Sequence, residues 1–167
     1  MQHSKVVGGS TVRVREVLAY DPETGQFTWR VSTGPRGVAG ARAGTTNLRG
    51  YIEISLDGRK YLAHRLVWAH VYGIWPDDQI DHINGDRADN RIVNLRDVPR
   101  AINQQNLRRA SKYNCSGLLG VSKHNARWRA RIQTEGVVVR LGTFDTAQQA
   151  HEAYLAAKRQ MHIGCTI

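Results

Sequence analysis

The stretch I-D-H-I-N-G-D-R-A-D-N-R-I-V-N-L-R-D-V-P-R-A-I-N-Q-Q-N, residues 80–106, decides how this chain is read. A short apolar run, Ile80 to Ile83, carries Asp81 and His82. The turn-rich segment Asn84 to Asn90 follows, then a second short run, Ile92 to Val98, carrying Asn94. Asn-Gly is a strong reversal signal, and proline suits the first turn of a helix, so Pro99 is expected to open a helix holding Asn103. The pattern is strand, loop, strand, helix. Its residue types suit phosphodiester hydrolysis, which needs a base for water and a cation for the scissile phosphate. A neutral imidazole near its ordinary pKa serves as a base at pH 7, which fits His82. Asp81 and Asn103 offer hard oxygen ligands, favouring Mg2+ or Mn2+ over zinc. Neighbouring side chains on a regular strand point to opposite faces, so Asp81 and His82 share a site only at a twisted or terminal strand position.

The spacing of His82, Asn94 and Asn103 is similar to the His-Asn-His (HNH) nuclease motif, in its variant with Asn in the last place. With H-R-L-V-W-A, I-D-H-I-N-G-D, N-R-I-V-N-L-R and N-Q-Q-N around it, the segment from about residue 18 to 107 resembles HNH homing endonucleases of phages and introns. The resemblance implies a ββα-metal (His-Me finger) nuclease module in which His82 is the general base. It implies metal ligation by Asp81 and Asn103, and a loop-tying, orienting role for Asn94. Many family members carry His where this chain has Asn103, which implies weaker metal affinity and argues against a tight zinc-type site. The competing reading is a decayed nuclease scaffold kept for structure.

The 167 residues suit one moderate domain or two small ones, with a net charge of +10 and a pI near 10.2. Residues 1–110 hold 16 Lys and Arg against 11 Asp and Glu, and residues 111–167 hold 8 against 3. Both halves are therefore basic by five charges, as expected if both contact a polyanion. No apolar run is long enough to span a membrane and no signal-peptide pattern opens the chain. Cys115 and Cys165 lack C-x-x-C partners, so reduced thiols in a cytoplasmic protein are expected, in the host cytoplasm if the chain is phage-encoded.

Residues 1–10 read as a leader with an incidental His3, and 1–18 as a leader with a short helix. Val14, Val17 and Leu18 sit at helical spacing across Thr11 to Tyr20, and Asp21 to Gly25 has turn chemistry. Gln26 to Arg30 alternates as a strand, and residues 32–50, rich in glycine with Arg36, Arg42 and Arg49, read as a surface loop. Tyr51 to Leu62 predicts a hairpin turning at Asp57-Gly58, and His64 to Tyr72 a short helix closed by Gly73. His64 and His70 are expected in core or helix-end roles, and Trp68 and Trp75 in the core. Arg87, Arg91, Arg96 and Arg100 surround the motif and are expected to contact phosphate. Asn106, three residues after Asn103, is a further candidate for phosphate or water-mediated ligation, whereas Asn90 reads as a loop residue.

Beyond a polar linker, 108–115, the pattern changes. Gly117 to Val121, Arg127 to Thr134 and Val137 to Leu141 predict three strands, and Thr146 caps a helix from Ala147 to about Ile163. Alternation puts Arg127, Arg129 and Arg131 on one sheet face and Trp128, Ala130 and Ile132 on the other, with Arg140 extending the basic row. Such a row has the reach for guanine edges and phosphates. Ala150, Ala153, Tyr154, Ala157 and Met161 are expected to form the helix's inner stripe. The pattern S-G, G-V-S, R-W-R-A-R-I, L-G-T-F-D-T and A-Y, over Ser116 to about His162, resembles an ethylene-response-factor (Apetala-type) DNA-binding domain. That resemblance implies a three-stranded antiparallel sheet packed on one helix and laid in the major groove, with Arg127, Arg129, Arg131 and Arg140 contacting DNA.

Together these readings predict an α+β chain with a nuclease module over 19–107 and a DNA-binding domain over 116–167. The expected activity is metal-dependent hydrolysis of double-stranded DNA to 5′-phosphate and 3′-hydroxyl ends. Mg2+ or Mn2+ is the expected cofactor, with no small-molecule cofactor and no membrane partner, in a monomer or homodimer. The rival classes are a non-catalytic, sequence-specific DNA-binding protein on a decayed nuclease scaffold, and an RNA-binding protein.

Overall fold

The computed structural model describes residues 9–167; the leader expected over the first residues, with His3, lies outside them up to position 8. The chain is α+β, with four α-helices and several small antiparallel sheets among the described residues. It divides into two compact units, one ending at Val98 and the other spanning Pro99–Ile167. No helix among the described residues is long and apolar enough to cross a membrane.

In the first unit, helix α1 (Thr11–Val17) buries Val14 and Val17. The helix expected through Tyr20 stops there, because Leu18–Asp21 forms strand β1. Leu18 is as fully buried as Val17, so its apolar character fits helix and strand alike. Antiparallel pairing with β2 (Gln26–Trp29), Leu18 opposite Trp29, settles the outcome as strand. The stretch 32–50, expected as loop, contains two short strands. β3 (Arg42–Ala43) adds to β2, and β4 (Thr45–Thr46) pairs with β5 (Ile52–Leu56). Strand β6 (Arg59–Leu62) completes the expected hairpin with β5. Its turn residues Asp57 and Gly58 have φ of 48° and 76°, the left-handed pair that two-residue hairpin turns require.

Helix α2 (Ala63–Tyr72) ends at Gly73 and turns Ala63, His64, Leu66, Val67 and Ala69 inward. Of these, Ala63, Leu66 and Val67 join Val14, Val17, Leu18, Phe27 and Ile54 in one core that also takes Ile80 and Leu95 from the hairpin β7 (Gln79–His82) and β8 (Leu95–Val98). The second apolar run, expected as a strand throughout, begins with a single 3-10 turn, Ile92–Asn94, before β8. Burying the Asn94 side chain to tie the loop bends the chain out of strand geometry there.

The second unit begins at Pro99, which precedes helix α3 (Arg100–Gln105). Its sheet has the order β11-β10-β9, made of β9 (Val121–His124), β10 (Arg127–Thr134) and β11 (Val137–Phe144). The first of these strands starts at Val121, where the sequence predicted it to end. Residues before it are occupied by a polar knot: the Ser116 hydroxyl donates to the carbonyls of Leu118 and Val121, and Asn114 accepts from Ser116. Helix α4 (Ala147–Met161) opens with the Thr146–Gln149 capping box, packs Ala150 on Val121 and Ala130, and buries Tyr154 beside Gly120.

The fully buried residue one turn after Tyr154 is Lys158, where a stripe of Ala157 and Met161 was expected. Its stem lies in the stripe, its ammonium sits 5.9 Å from the Tyr154 ring centre, and Nζ donates to the Leu107 carbonyl. The segment expected as a polar linker is likewise tied down, since Arg108 donates to the Thr166 hydroxyl at 2.7 Å.

Candidate active site

The β7–β8 hairpin builds the site from the first unit. Its register sets Asp81 opposite Arg96 and His82 opposite Leu95, and His82 is the last residue of β7. That terminal position lets both Asp81 and His82 be buried, at 6% and 5% exposure, despite their adjacency. The loop between the strands is tied by its own polar side chains. Asn94 Oδ1 accepts from Asn84 N at 2.9 Å, and Asn94 Nδ2 donates to the Asp89 carbonyl at 2.8 Å. Asp86 accepts from Ala88 N, while Asn84 Nδ2 donates to Asp89 Oδ2 at 2.7 Å. These are the short-range side-chain bonds that Asn and Asp make in turns.

His82 Nε2 lies 3.3 Å from Asn90 Oδ1, and Asn90 Nδ2 donates to the Ala88 carbonyl. The second bond fixes which way the Asn90 amide points, so its oxygen accepts from a proton on Nε2 and the lone pair resides on Nδ1. Burial pushes the His82 imidazole below its usual pKa, against a smaller opposing effect of the Asn90 bond and the nearby carboxylates. The ring is therefore neutral at pH 7 and suited to take a proton.

Asn90 is itself held from a distance. The Tyr20 hydroxyl donates to the Asn90 carbonyl at 2.9 Å and accepts from Ile92 N at 2.9 Å. Gly25, in the β1–β2 turn, has φ +72°, and a Cβ there would lie 2.5 Å from Arg91 N and 2.6 Å from the Asn90 carbonyl carbon. The N-terminal hairpin thus clamps the backbone that orients His82. On the other side, His64 of α2 sets its ring at 88° to that of His82, with centres 5.1 Å apart. His64 is 5% exposed and its Nδ1 is buried without a hydrogen-bond partner among the described residues. Desolvation first, then His82 and Arg65, lower its pKa to about 3.

The arginines expected on phosphate divide into groups. Arg96 turns inward, because its cross-strand partner is Asp81. Nε and Nη2 both donate to Asp81 Oδ2, at 2.9 and 2.7 Å. Arg91 is engaged by Asp89 at 2.7 Å, which holds that carboxylate at a pKa of about 2. Arg87 lays its guanidinium 5.0 Å from the Tyr51 ring centre and donates to the Arg49 carbonyl. Arg100 and Asn103 lie on α3, in the second unit, with Arg100 exposed. Asn106, considered for the site, is 6% exposed and bonds the Thr166 hydroxyl.

In the second unit, Arg127 and Arg131 are exposed, whereas Trp128, Ala130 and Ile132 face inward, as the alternation implied. Arg131 stands directly opposite Arg140 on β11, and Arg129 stands between Ser122 and Thr143. Arg127 pairs with Asp145 at 2.9 Å in the open. No trio of His, Cys, Asp and Glu with metal-site geometry occurs among the described residues.

Residues 61–105, from β6 through α3, match a family model described as HNH endonuclease. This match supports an HNH nuclease. The matched segment includes Asp81, His82, Asn94 and Asn103, together with His64 and Asn90. No curated protein and no solved structure matches the chain. Tyr20 carries no site signal in the sequence and Asn90 reads there as a loop residue, whereas His64, expected in a core or helix-end role, is buried in α2 as expected with its ring against His82. The only signal for Asn90 was its place in the D-N-R run, and for His64 its place in the H-R-L-V-W-A run.

Proposed function

We propose that this protein is a metal-dependent HNH DNA endonuclease that cuts phosphodiesters to 5′-phosphate and 3′-hydroxyl ends. The observation that supports this best is the buried His82, its Nε2 3.3 Å from Asn90 Oδ1, inside the segment that matches HNH endonucleases. His82 Nδ1 takes a proton from water as the oxygen attacks phosphorus in line with the leaving 3′ oxygen, which departs with a proton from solvent. Asn94 holds the loop so that this ring keeps its orientation.

The chemistry of the candidate ligands suits a hard divalent cation. Asp81 supplies one buried carboxylate, the family resemblance adds the Asn103 amide oxygen, and magnesium is held by few protein oxygens together with phosphate and water. Asp81 and Asn103 would hold Mg2+ or Mn2+, which, when bound, neutralises charge developing at the phosphate and the leaving oxygen. The sheet of the second unit positions the duplex, with Arg129, Arg131 and Arg140 as contacts and Arg127 released from Asp145. Arg87 and Arg100 contact phosphate on this reading, whereas Arg91 and Arg96 order the loop and the carboxylate they bond.

The Asp81–Arg96 pair favours a second reading, a DNA-binding protein without cleavage, because that carboxylate already has a cation. Supercoiled plasmid incubated with wild type and His82→Ala, with Mg2+ and then EDTA, separates the two. Relaxed or linear DNA is expected with wild type and metal alone, with both proteins binding equally. Tight, salt-sensitive binding with no cleavage of plasmid or of phage genomic DNA would instead support the binding protein.

A further inference from the structure

We propose that Leu48 is a wedge that enters the base stack of a duplex seated at the His82 site and opens the step beside the cut. The proposal rests on the endonuclease reading above. Leu48 is fully exposed, at 108% of the reference area. A single exposed leucine is ordinary on a protein surface; this one differs in the turn that carries it. The Asn47 carbonyl accepts from Gly50 N at 2.9 Å, closing a four-residue turn with Leu48 in second place. Asn47 Oδ1 also accepts from Arg49 N at 2.9 Å and Tyr51 N at 3.1 Å, and Nδ2 donates to Glu53 at 2.8 Å. Proline and polar residues are the usual occupants of such places. Here a large apolar side chain stands on a backbone that has little freedom left to lose on binding.

The same turn is tied to the candidate active site. Arg87, from the loop after His82, donates to the Arg49 carbonyl at 2.8 Å and covers the Tyr51 ring. The Tyr51 ring centre is 6.0 Å from that of His82 and 5.3 Å from that of His64. Leu48 therefore stands on a turn tied to the site, next in sequence to Arg49, whose carbonyl holds Arg87, and the two cations suit phosphates near it. On a duplex, an apolar side chain on a tied turn near phosphate contacts fits the space between neighbouring base pairs, where such wedges unstack a step and kink the helix. His82 is recessed, at 5% exposure. A kink beside the scissile phosphate brings the strand down to it, which a straight duplex does poorly.

The test uses the full chain and a duplex built on a sequence that wild-type protein nicks in plasmid or phage DNA. 2-Aminopurine is placed in turn at each position flanking the cut. Wild type and Leu48→Met should raise its fluorescence at one step, and Leu48→Ala should not. Leu48→Ala should keep the wild-type melting temperature, because the side chain packs on nothing, and should lose about tenfold or more in kcat/KM. A mismatch at the identified step should restore most of that loss, since the step is already open. Wild-type cleavage of the matched duplex by Leu48→Ala, or failure of the mismatch to rescue it, overturns the wedge while leaving the endonuclease intact. Wild-type protein that cuts no DNA with Mg2+ or Mn2+ overturns the endonuclease reading and the wedge with it.

Discussion

Tyr20→Phe deletes one oxygen atom from a residue 70 positions before Asn90 and tests whether the N-terminal hairpin positions His82, the proposed base. The hydroxyl bridges the Asn90 carbonyl and Ile92 N, each at 2.9 Å. An intramolecular hydrogen bond contributes about 0.5–1.5 kcal/mol net, and a buried group left unpaired costs about 1–3 kcal/mol. The ring contacts survive the change, with Phe27 and His70 centred 5.2 and 5.8 Å away. A loss of about 2 kcal/mol is therefore expected, which at an ordinary urea dependence moves the unfolding midpoint by about 1 M. Activity should suffer separately. The loop backbone that fixes the Asn90 oxygen against His82 loosens, and a misplacement of about 1 Å costs on the order of 100-fold in rate. Single-turnover nicking at saturating protein should slow by about ten- to hundred-fold, with the half-saturating protein concentration within about twofold of wild type. Equal midpoints would show that the bridge holds nothing. A lowered midpoint with an unchanged cleavage rate would show that it staples the loop without positioning His82.

Two further outcomes follow from buried and paired charges. His64 titrates near 6.5 when unfolded and at about 3 when folded. Between those values the unfolded chain binds the extra proton, so stability falls as pH drops through that window and is unaffected by this group above it. His64→Phe should therefore lose less of its urea midpoint than wild type between about pH 7 and about pH 4.5; equal losses would refute the buried, neutral assignment. In the second unit, Arg131 and Arg140 are directly opposed across β10 and β11. Like charges so placed destabilise a sheet by up to about 1 kcal/mol unless an anion lies between them. Arg131→Ala should raise the melting temperature slightly while weakening duplex binding and lowering its salt dependence by about one ion. A variant that is both less stable and unchanged in affinity would remove this face from DNA contact.

How much of this was legible in the sequence depended on how local the deciding interaction is. The Asp57-Gly58 hairpin, the Thr146 cap and the alternation along β10 are decided by residues within a few positions, and the structure has all three where the sequence placed them. Strand β1 was read as helix because Leu18 satisfies either period, and only its antiparallel partner Trp29 distinguishes them. The short strands β3 and β4 were hidden because what pairs them lies on β2 and β5, while their own composition is that of a loop. The site divides in the same way. Asp81, His82 and Asn94 stand out because the hairpin is one contiguous stretch, and its turn residues announce it. Arg96 was read as a free phosphate contact because its partner is set by register, which composition does not reveal. Asn90 meets His82 by a hydrogen bond, Tyr20 holds the Asn90 backbone by another, and His64 packs its ring on that of His82; Tyr20 and His64 come from other elements, so no spacing within the motif could announce them. They also tie the motif to its scaffold: His82 Nε2 faces Asn90 Oδ1, and the Asn90 backbone is held by a hydroxyl and a glycine contributed by a hairpin outside the matched segment.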